Sequence, residues 1–323
     1  MKVMDQEKND VFQFKEGWKW FDFHLMNEDS LQELKEDFGK TEVWIKNQFN
    51  TETNFLYVDT NEYGVPFVIG SLNYSQDPDN PEVNKLFHYK VSKDKLLTVN
   101  LDLEFLENVN KNKLLNRLDR CIDGSEGFLI LIGELLHTFL QGIDDFEEHL
   151  IDLEKVIHYK NNGKSLEKIF EHRSEMLFLK QLVIPIEEIL TAVEEAFLED
   201  LNTETFKRTK LRLKRTMDLL AHYEGQIETL LRMNMNLYSY RGNEIIKALT
   251  VFTVLFTPIT ALGAIWGMNF EHIPEFKWKY GYLFAWIVII TMSAAIYWWL
   301  YKRGWTGDIL TSMKNKKDDK KPK

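Results

Sequence analysis

A chain of 323 residues with a formal net charge of −10 and a single cysteine excludes several classes of function. General nucleic-acid binding needs clustered Lys and Arg for the phosphates, and one cysteine forms neither an intrachain disulfide nor a cysteine-based zinc site. The mean hydropathy of −0.32 reads as soluble, but that average hides a division. Residues before about 240 are charged throughout, while the continuous apolar sequence lies between Ala248 and Tyr301.

The first stretch, MKVMDQEKND, has acids where a signal peptide would carry an apolar core, so the N-terminal part is expected in the cytoplasm. Asp29–Gly39 has a helix N-cap, a three/four apolar spacing and a terminal Gly. Phe55–Asp59, Pro66–Tyr74 and Lys95–Leu103 are rich in β-branched and aromatic residues and read as strands, separated by turn formers such as Asp77–Pro81. Residues 1–124 are therefore predicted to form a small α/β domain. From 125 to 243 the pattern is helical: Phe128, Leu131, Leu135, Phe139 and Ile143 recur at helical spacing, as do Leu211, Leu213, Leu219, Ile227, Leu230 and Leu231. A turn is predicted at residues 161–163. The helix starting near Glu204 meets no breaker except Gly225 and Gly242, which suggests a coiled-coil-like stalk.

Ala248–Trp266 and Gly281–Tyr301 contain no charged residue, and each approaches the ~20 residues that cross a bilayer as a helix. Residues 244–301 are predicted to be two transmembrane helices joined by a short loop, 267–280. Trp278, Tyr280 and Tyr282 at one end of the second span, with Tyr297, Trp298, Trp299, Tyr301 and Trp305 at the other, have the placement of interfacial belts. Arg241 and Lys247 precede the first span, and Lys302, Arg303 and a lysine-rich tail (302–323) follow the second. The positive-inside rule puts both termini in the cytoplasm and the loop outside. That basic tail could oppose cation entry or bind anionic lipid. A buried hairpin in a soluble protein is the alternative that span length disfavours.

The first span carries a polar stripe. Thr250, Thr253, Thr257 and Thr260 share one helical face. Extended both ways, the series reaches Asn243 and Ile246 before it and Ala264 and Gly267 after it. Asn243, Thr250, Thr257 and Ala264 are seven apart, as are Ile246, Thr253, Thr260 and Gly267, which is a heptad with two seam positions. These hydroxyls could bond their own backbone at i−4, or glue two helices together. A pore wall is the functional alternative, and two spans enclose no channel, so it requires several copies of the chain. At the end of the stripe Gly267 is expected to allow a backbone turn that other residues resist, and Asn269 offers a neutral amide oxygen. Mg²⁺ gives up its waters reluctantly, so uncharged acceptors touching its water shell hold it without stripping it and still let it leave. Glu271 and Glu275 would form an outer acidic ring; an ordinary solvated loop is the bland reading.

The segment Asn243–Tyr282, NEIIKALTVFTVLFTPITALGAIWGMNFEHIPEFKWKYGY, resembles the CorA family of two-span divalent-cation transporters. The match includes the initial Asn, Lys247, Leu249-Thr250, Phe256, Pro258-x-Thr260, Gly267-Met268-Asn269-Phe270 and Pro274-Glu275. The resemblance implies a funnel-shaped homopentamer, with an α+β cytoplasmic domain, an α/β sandwich plus long helices, whose stalk helix runs into the two C-terminal membrane helices. It implies Mg²⁺ influx, with Co²⁺ and Ni²⁺ often accepted, through a filter of Gly267, Met268 and Asn269. Asn243 would lie at the inner mouth, with Ile246, Leu249, Thr257, Thr260 and Ala264 along the wall. It also implies closure by cytoplasmic Mg²⁺ bound between subunits. Three residues depart from the family pattern: Trp266 stands where Tyr is usual, and Ile246 and Thr257 stand where methionines are common, which puts the hydrophobic constriction in question.

No Gly-rich phosphate loop with Lys-Ser/Thr is present, so an ATP-driven pump is not expected, and no nucleophile–base constellation suggests an enzyme. No cofactor is expected; the implied partners are further copies of the chain, membrane lipid and divalent cations, in the cell membrane. Acidic clusters at Asp144-Asp145, Glu147-Glu148, Asp152 and Glu154, and at Glu187-Glu188, Glu194-Glu195 and Glu199-Asp200, read first as solvated helix faces, and no sensor residue is assignable among them. His137, His149, His158, His172 and His222 show no pairwise metal-site spacing. Zn²⁺ as cargo, as in the ZntB branch, is the alternative within this architecture, and Met268 argues against it. A non-conducting coiled-coil scaffold is the alternative outside it.

Overall fold

The computed structural model describes residues 10–24, 53–60, 65–75, 85–103, 111–159, 164–198, 203–269 and 277–305. The predicted helix at 29–39 and the predicted turns at 77–81 and 161–163 lie outside them. The chain divides into two compact units, Met1–Leu231 and Arg232–Lys323.

In the first unit, β1 (Asp10–Gln13), β2 (Lys19–Phe23), β3 (Phe55–Asp59), β4 (Phe67–Ser75), β5 (Lys85–Val91) and β6 (Lys95–Val99) build one sheet in the order β1-β2-β6-β5-β4-β3. Every neighbouring pair is antiparallel except β2 with β6. The predicted strand at 55–59 is β3, the one at 66–74 falls on β4, and the one at 95–103 shortens to β6 because Asn100, with φ of 62°, turns the chain. β1, β2 and β5 are additions to the sequence reading. Asp10 and Gln13 in β1, Lys19 and Asp22 in β2 and Lys85 and Lys90 in β5 interrupt the apolar runs, although Phe87, Tyr89 and Val91 alternate into the core as a strand should.

The centre of the sheet holds a buried polar relay. The Trp20 indole donates to Thr98 Oγ1 at 2.9 Å, and the Thr98 hydroxyl donates to Asp22 Oδ1 at 2.6 Å. Burial pushes the Asp22 carboxyl up to about 6 from 3.8, although the Thr98 bond and the charges of His24 and Lys111 act the other way. The folded value is the higher one, so this group's contribution to stability is complete below pH 3.8 and is lost as pH rises through about 6. Asp22→Asn keeps an acceptor for Thr98 and removes the buried charge. It is expected to stabilise the full chain by on the order of 2 kcal/mol at pH 8 and by almost nothing near pH 4. Thermal melts in detergent at the two pH values check this, and an equal effect at both would refute it.

Five helices follow: α1 (Lys111–Leu118), α2 (Gly124–Tyr159), α3 (Lys164–Ala196), α4 (Glu204–Trp266) and α5 (Gly281–Lys302). Asp123 starts α2 by accepting from the Ser125 hydroxyl at 2.7 Å and the Glu126 N–H at 2.8 Å, while Glu126 accepts from the Ile122 N–H at 2.9 Å. The helix then presses on the sheet, since a Cβ at Gly127 would lie 2.4 Å from the Trp18 ring. Phe128, Leu131, Leu135, Phe139 and Ile143 are all buried, as their spacing predicts, and Phe128 meets Tyr89 of β5 at 4.8 Å between ring centroids. On α4, Leu213, Leu220, Ile227 and Leu230 are buried; Leu211, expected on the same face, is exposed on another.

Three described helices are long and apolar enough to cross a membrane, α2 among them. Burial separates them. The most apolar window of α2 is 67% buried inside the first unit, whereas those of α4 and α5 are 6% buried. A helix whose apolar surface is already covered by its own domain is a core helix; α4 and α5 leave theirs for another solvent.

Candidate functional site

Residues 243–266 of α4, the three residues after it and α5 belong to the second unit. Along this part of α4, Asn243, Ile246, Leu249, Thr253, Thr257, Thr260 and Ala264 are exposed and Thr250 is half-buried; Phe252, Phe256, Ile259 and Ile265 of the same helix are exposed too. Another side of the same helix is withdrawn from solvent, with Pro258 buried and Val254, Leu255, Leu262 and Trp266 half-buried. Pro258 sits inside α4 without ending it.

All four threonines adopt the local option. Their hydroxyls donate to the carbonyls four residues earlier: Thr250 to Ile246 at 2.8 Å, Thr253 to Leu249 at 2.9 Å, Thr257 to Thr253 at 2.8 Å and Thr260 to Phe256 at 2.6 Å. Back-bonding and a solvated wall are compatible, because the bond consumes only the hydroxyl proton and leaves both lone pairs of the oxygen free to accept. The exposed face therefore presents acceptors with their donors already turned inward. That polarity suits the hydrogens of a cation's water shell.

At the end of the stripe the Gly267 N–H donates to Gly263 O at 2.9 Å and the Met268 N–H to Ile265 O at 3.3 Å, which closes the helix. Gly267 does not use a left-handed backbone, contrary to the expectation of a special turn: among the described glycines only Gly17 and Gly304 have positive φ. What restricts position 267 is close approach, since a Cβ there would lie 3.0 Å from Gly263 O. Met268 and Asn269 follow, both exposed. Glu271 and Glu275 lie outside the described residues, as do Glu199, Asp200 and the tail beyond 305.

Along α5, Gly281 and Leu300 are buried, while Tyr282, Trp286, Trp298 and Trp299 are exposed. Trp266 of α4 and Gly281, Ala285, Trp286 and Ile289 of α5 border a cavity of about 400 Å³. At the other end Lys302 Nζ stands 4.9 Å from the Trp298 ring centroid and the Arg303 guanidinium 5.0 Å from that of Trp299. Cations stacked on amphipathic rings at one end of an apolar helix are the arrangement expected at a membrane–water boundary.

In the first unit the structure assembles groups that the linear sequence keeps apart. His149 Nδ1 is 3.6 Å and His172 Nδ1 3.1 Å from the Glu175 carboxylate, and the His172 bond holds that carboxyl below its ordinary value. Among the described residues no group of three His, Cys, Asp or Glu side chains is placed to hold a metal ion. The acidic clusters face solvent, with Asp152 paired to Lys155 at 2.8 Å and Glu194 to Lys210 at 2.9 Å. Arg117, Arg120, Arg208 and Arg212 come together around one cavity. Sequence reasoning missed them; their signal was the three- and four-residue spacing of two arginine pairs.

A family model described as "CorA-like Mg2+ transporter protein" matches residues 15–303. The magnesium transport protein CorA of Bacillus subtilis is 37% identical over 307 residues, 94% of this chain and 96% of its own. The cobalt/magnesium transport protein CorA of Thermotoga maritima is 22% identical over 178 residues, 54% of this chain and 51% of its own. The complete structure of the CorA magnesium transporter from Methanocaldococcus jannaschii superposes with a TM-score of 0.66 over 94% of each chain at 16% identity, which shows a shared fold. A transporter family also agrees with the expectation that the chain is not an enzyme. Sequence match, fold and the exposed membrane-grade helices lead to one assignment: the chain belongs to the CorA-like Mg²⁺ transporter family.

Proposed function

We propose that the chain is an influx route for divalent cations in the cell membrane, with Mg²⁺ as its principal cargo. Several copies, five by family resemblance, place their α4 stripes around a common axis. Hydrated Mg²⁺ is received at the collar formed by Gly267, Met268 and Asn269 and passes along Thr260, Thr257, Thr253 and Thr250 to Ile246, Leu249 and Asn243. Both termini face the cytoplasm. The observation that carries this reading is the row of four threonines, three of them exposed and Thr250 half-buried, each with its hydroxyl proton turned into its own helix, ending at Gly267-Met268-Asn269. A scaffold helix needs no such row of outward acceptors.

The membrane potential supplies the driving force, about 2.3 kcal/mol per charge per 100 mV and so roughly 4.6 for a divalent ion. Cytoplasmic Mg²⁺ closes the route. Ile246 and Thr257, standing where the family often has methionine, make the constriction shorter and wetter. Reconstituted vesicles with a negative interior test the cargo: Mg²⁺ uptake is expected to exceed Zn²⁺ uptake, and internal Mg²⁺ to suppress it. Zn²⁺ entering fastest would move the chain to the transition-metal reading. Absence of flux for Mg²⁺, Co²⁺, Ni²⁺ and Zn²⁺ alike would leave the scaffold.

A further inference from the structure

The chain has nine arginines against 31 lysines, yet four of those nine line one cavity of about 220 Å³ in the first unit, and no lysine joins them. Arg117 and Arg120 come from the end of α1 and the turn after it; Arg208 and Arg212, one turn apart, come from the start of α4, with Thr205 and Thr209 of the same helix lining the cavity beside them. In a chain of net charge −10 this is a local excess of a single cation type. Guanidinium is a planar fork that grips oxyanions with two parallel bonds, which lysine cannot do.

The local acids do not exhaust these forks. Arg117 pairs with the buried Glu134, and Arg208 Nη2 donates to Glu204 Oε1 at 2.5 Å on the exposed side of α4. Arg212 Nη1 donates only to the carbonyl of Gly133, at 3.2 Å, and Arg120 makes no side-chain ion pair among the described residues. Glu126 is the one carboxylate lining the cavity, and it is already occupied by the Thr205 hydroxyl at 2.7 Å and the Ile122 N–H at 2.9 Å. A cluster of like charges around a small polar cavity, with one guanidinium unpaired, is stabilised by an anion.

We infer that this arginine-lined cavity is a binding site for a small phosphorylated anion, and that the group recognised is a pyrophosphate unit, free or carried by a nucleotide. Two linked phosphates present enough oxygens for four forks, whereas one carboxylate engages one or two. The site is independent of the transport reading, because its residues lie in the first unit and none belongs to the α4 stripe.

Isothermal titration of the full chain in detergent, in chelator-containing buffer without divalent ions, is the test, with inorganic pyrophosphate and adenosine triphosphate as separate probes. Wild-type protein is expected to bind pyrophosphate at one site per chain. Arg120→Ala, which breaks no side-chain ion pair among the described residues, is expected to weaken binding at least about tenfold, and Arg120→Lys to restore it only in part. Glu126→Gln keeps the acceptor for Thr205 and removes the opposing charge, so it should tighten binding several-fold. Arg215→Ala, one turn away on α4 and outside the cavity, should change nothing. Triphosphate binding with the same Arg120 dependence identifies the carried form; binding of pyrophosphate alone identifies the free one. No heat from either probe, or equal losses in Arg120→Ala and Arg215→Ala, overturns the proposal.

Discussion

Asn269→Ala is expected to lower Mg²⁺ uptake into reconstituted vesicles by at least about a hundredfold while leaving the oligomer intact, as judged by size-exclusion chromatography with light scattering. The size of the effect follows from what the amide does at a collar of uncharged oxygens. An acceptor aimed at a water shell lowers the energy of the hydrated ion where bulk water is being left behind, and a preorganised acceptor in a confined site is worth far more than one facing bulk solvent. Each site contributes about 1–2 kcal/mol, and several identical copies act on one ion, so a hundredfold loss needs little from each. Asn269 is exposed in the single chain and lies just past the end of α4, so its truncation is expected to leave the fold intact. Asn269→Asp separates the roles. It keeps the oxygen, adds charge and should bind the ion more tightly while slowing its release, seen as saturation at lower Mg²⁺ with a reduced maximal rate. Wild-type uptake by Asn269→Ala would refute the filter assignment.

The membrane part of this fold was legible in the sequence because its signal is long and local: two runs without charge, a heptad and a closing triplet. The strands were legible only where the burial pattern is simple. β3, β4 and β6 were found, whereas β2 hides a buried Asp22 whose partner, Thr98, lies 76 positions away. Gly267 shows a different limit. Its residue type suggests conformational freedom, but the structure gives the neighbouring carbonyl of Gly263 as the constraint, which depends on how α4 closes. The arginine cavity and the His149–His172–Glu175 contact were illegible for a third reason. Each joins members of different elements, and although a short spacing links Arg208 with Arg212 and His172 with Glu175, no linear spacing encodes which faces of α1, α2, α3 and α4 meet.

The strongest test of the α4 stripe is a charge at its centre. Thr257→Lys is expected to abolish divalent-cation uptake in a protein that still inserts and assembles. If position 257 faces a water-filled axis, the ammonium group is hydrated and costs the fold little, yet each copy adds a positive charge to the route. Two like charges about 8 Å apart at an effective dielectric near 20 repel by roughly 2 kcal/mol per unit charge product. For a divalent ion meeting several such groups the barrier exceeds what the membrane potential offers. If position 257 instead faces lipid, the same substitution places a lysine near the middle of the span at a cost of about 2.5–3.5 kcal/mol per helix or more, and the expected result is poor insertion or loss of the oligomer. If it lies in a dry helix–helix contact, assembly fails as well. Thr257→Val distinguishes volume from polarity: it preserves shape, removes the back-bond to Thr253 O and the outward acceptor, and is expected to slow uptake several-fold without blocking it. An intact Thr257→Lys oligomer that conducts Mg²⁺ at the wild-type rate would place the threonine face away from the ion's path.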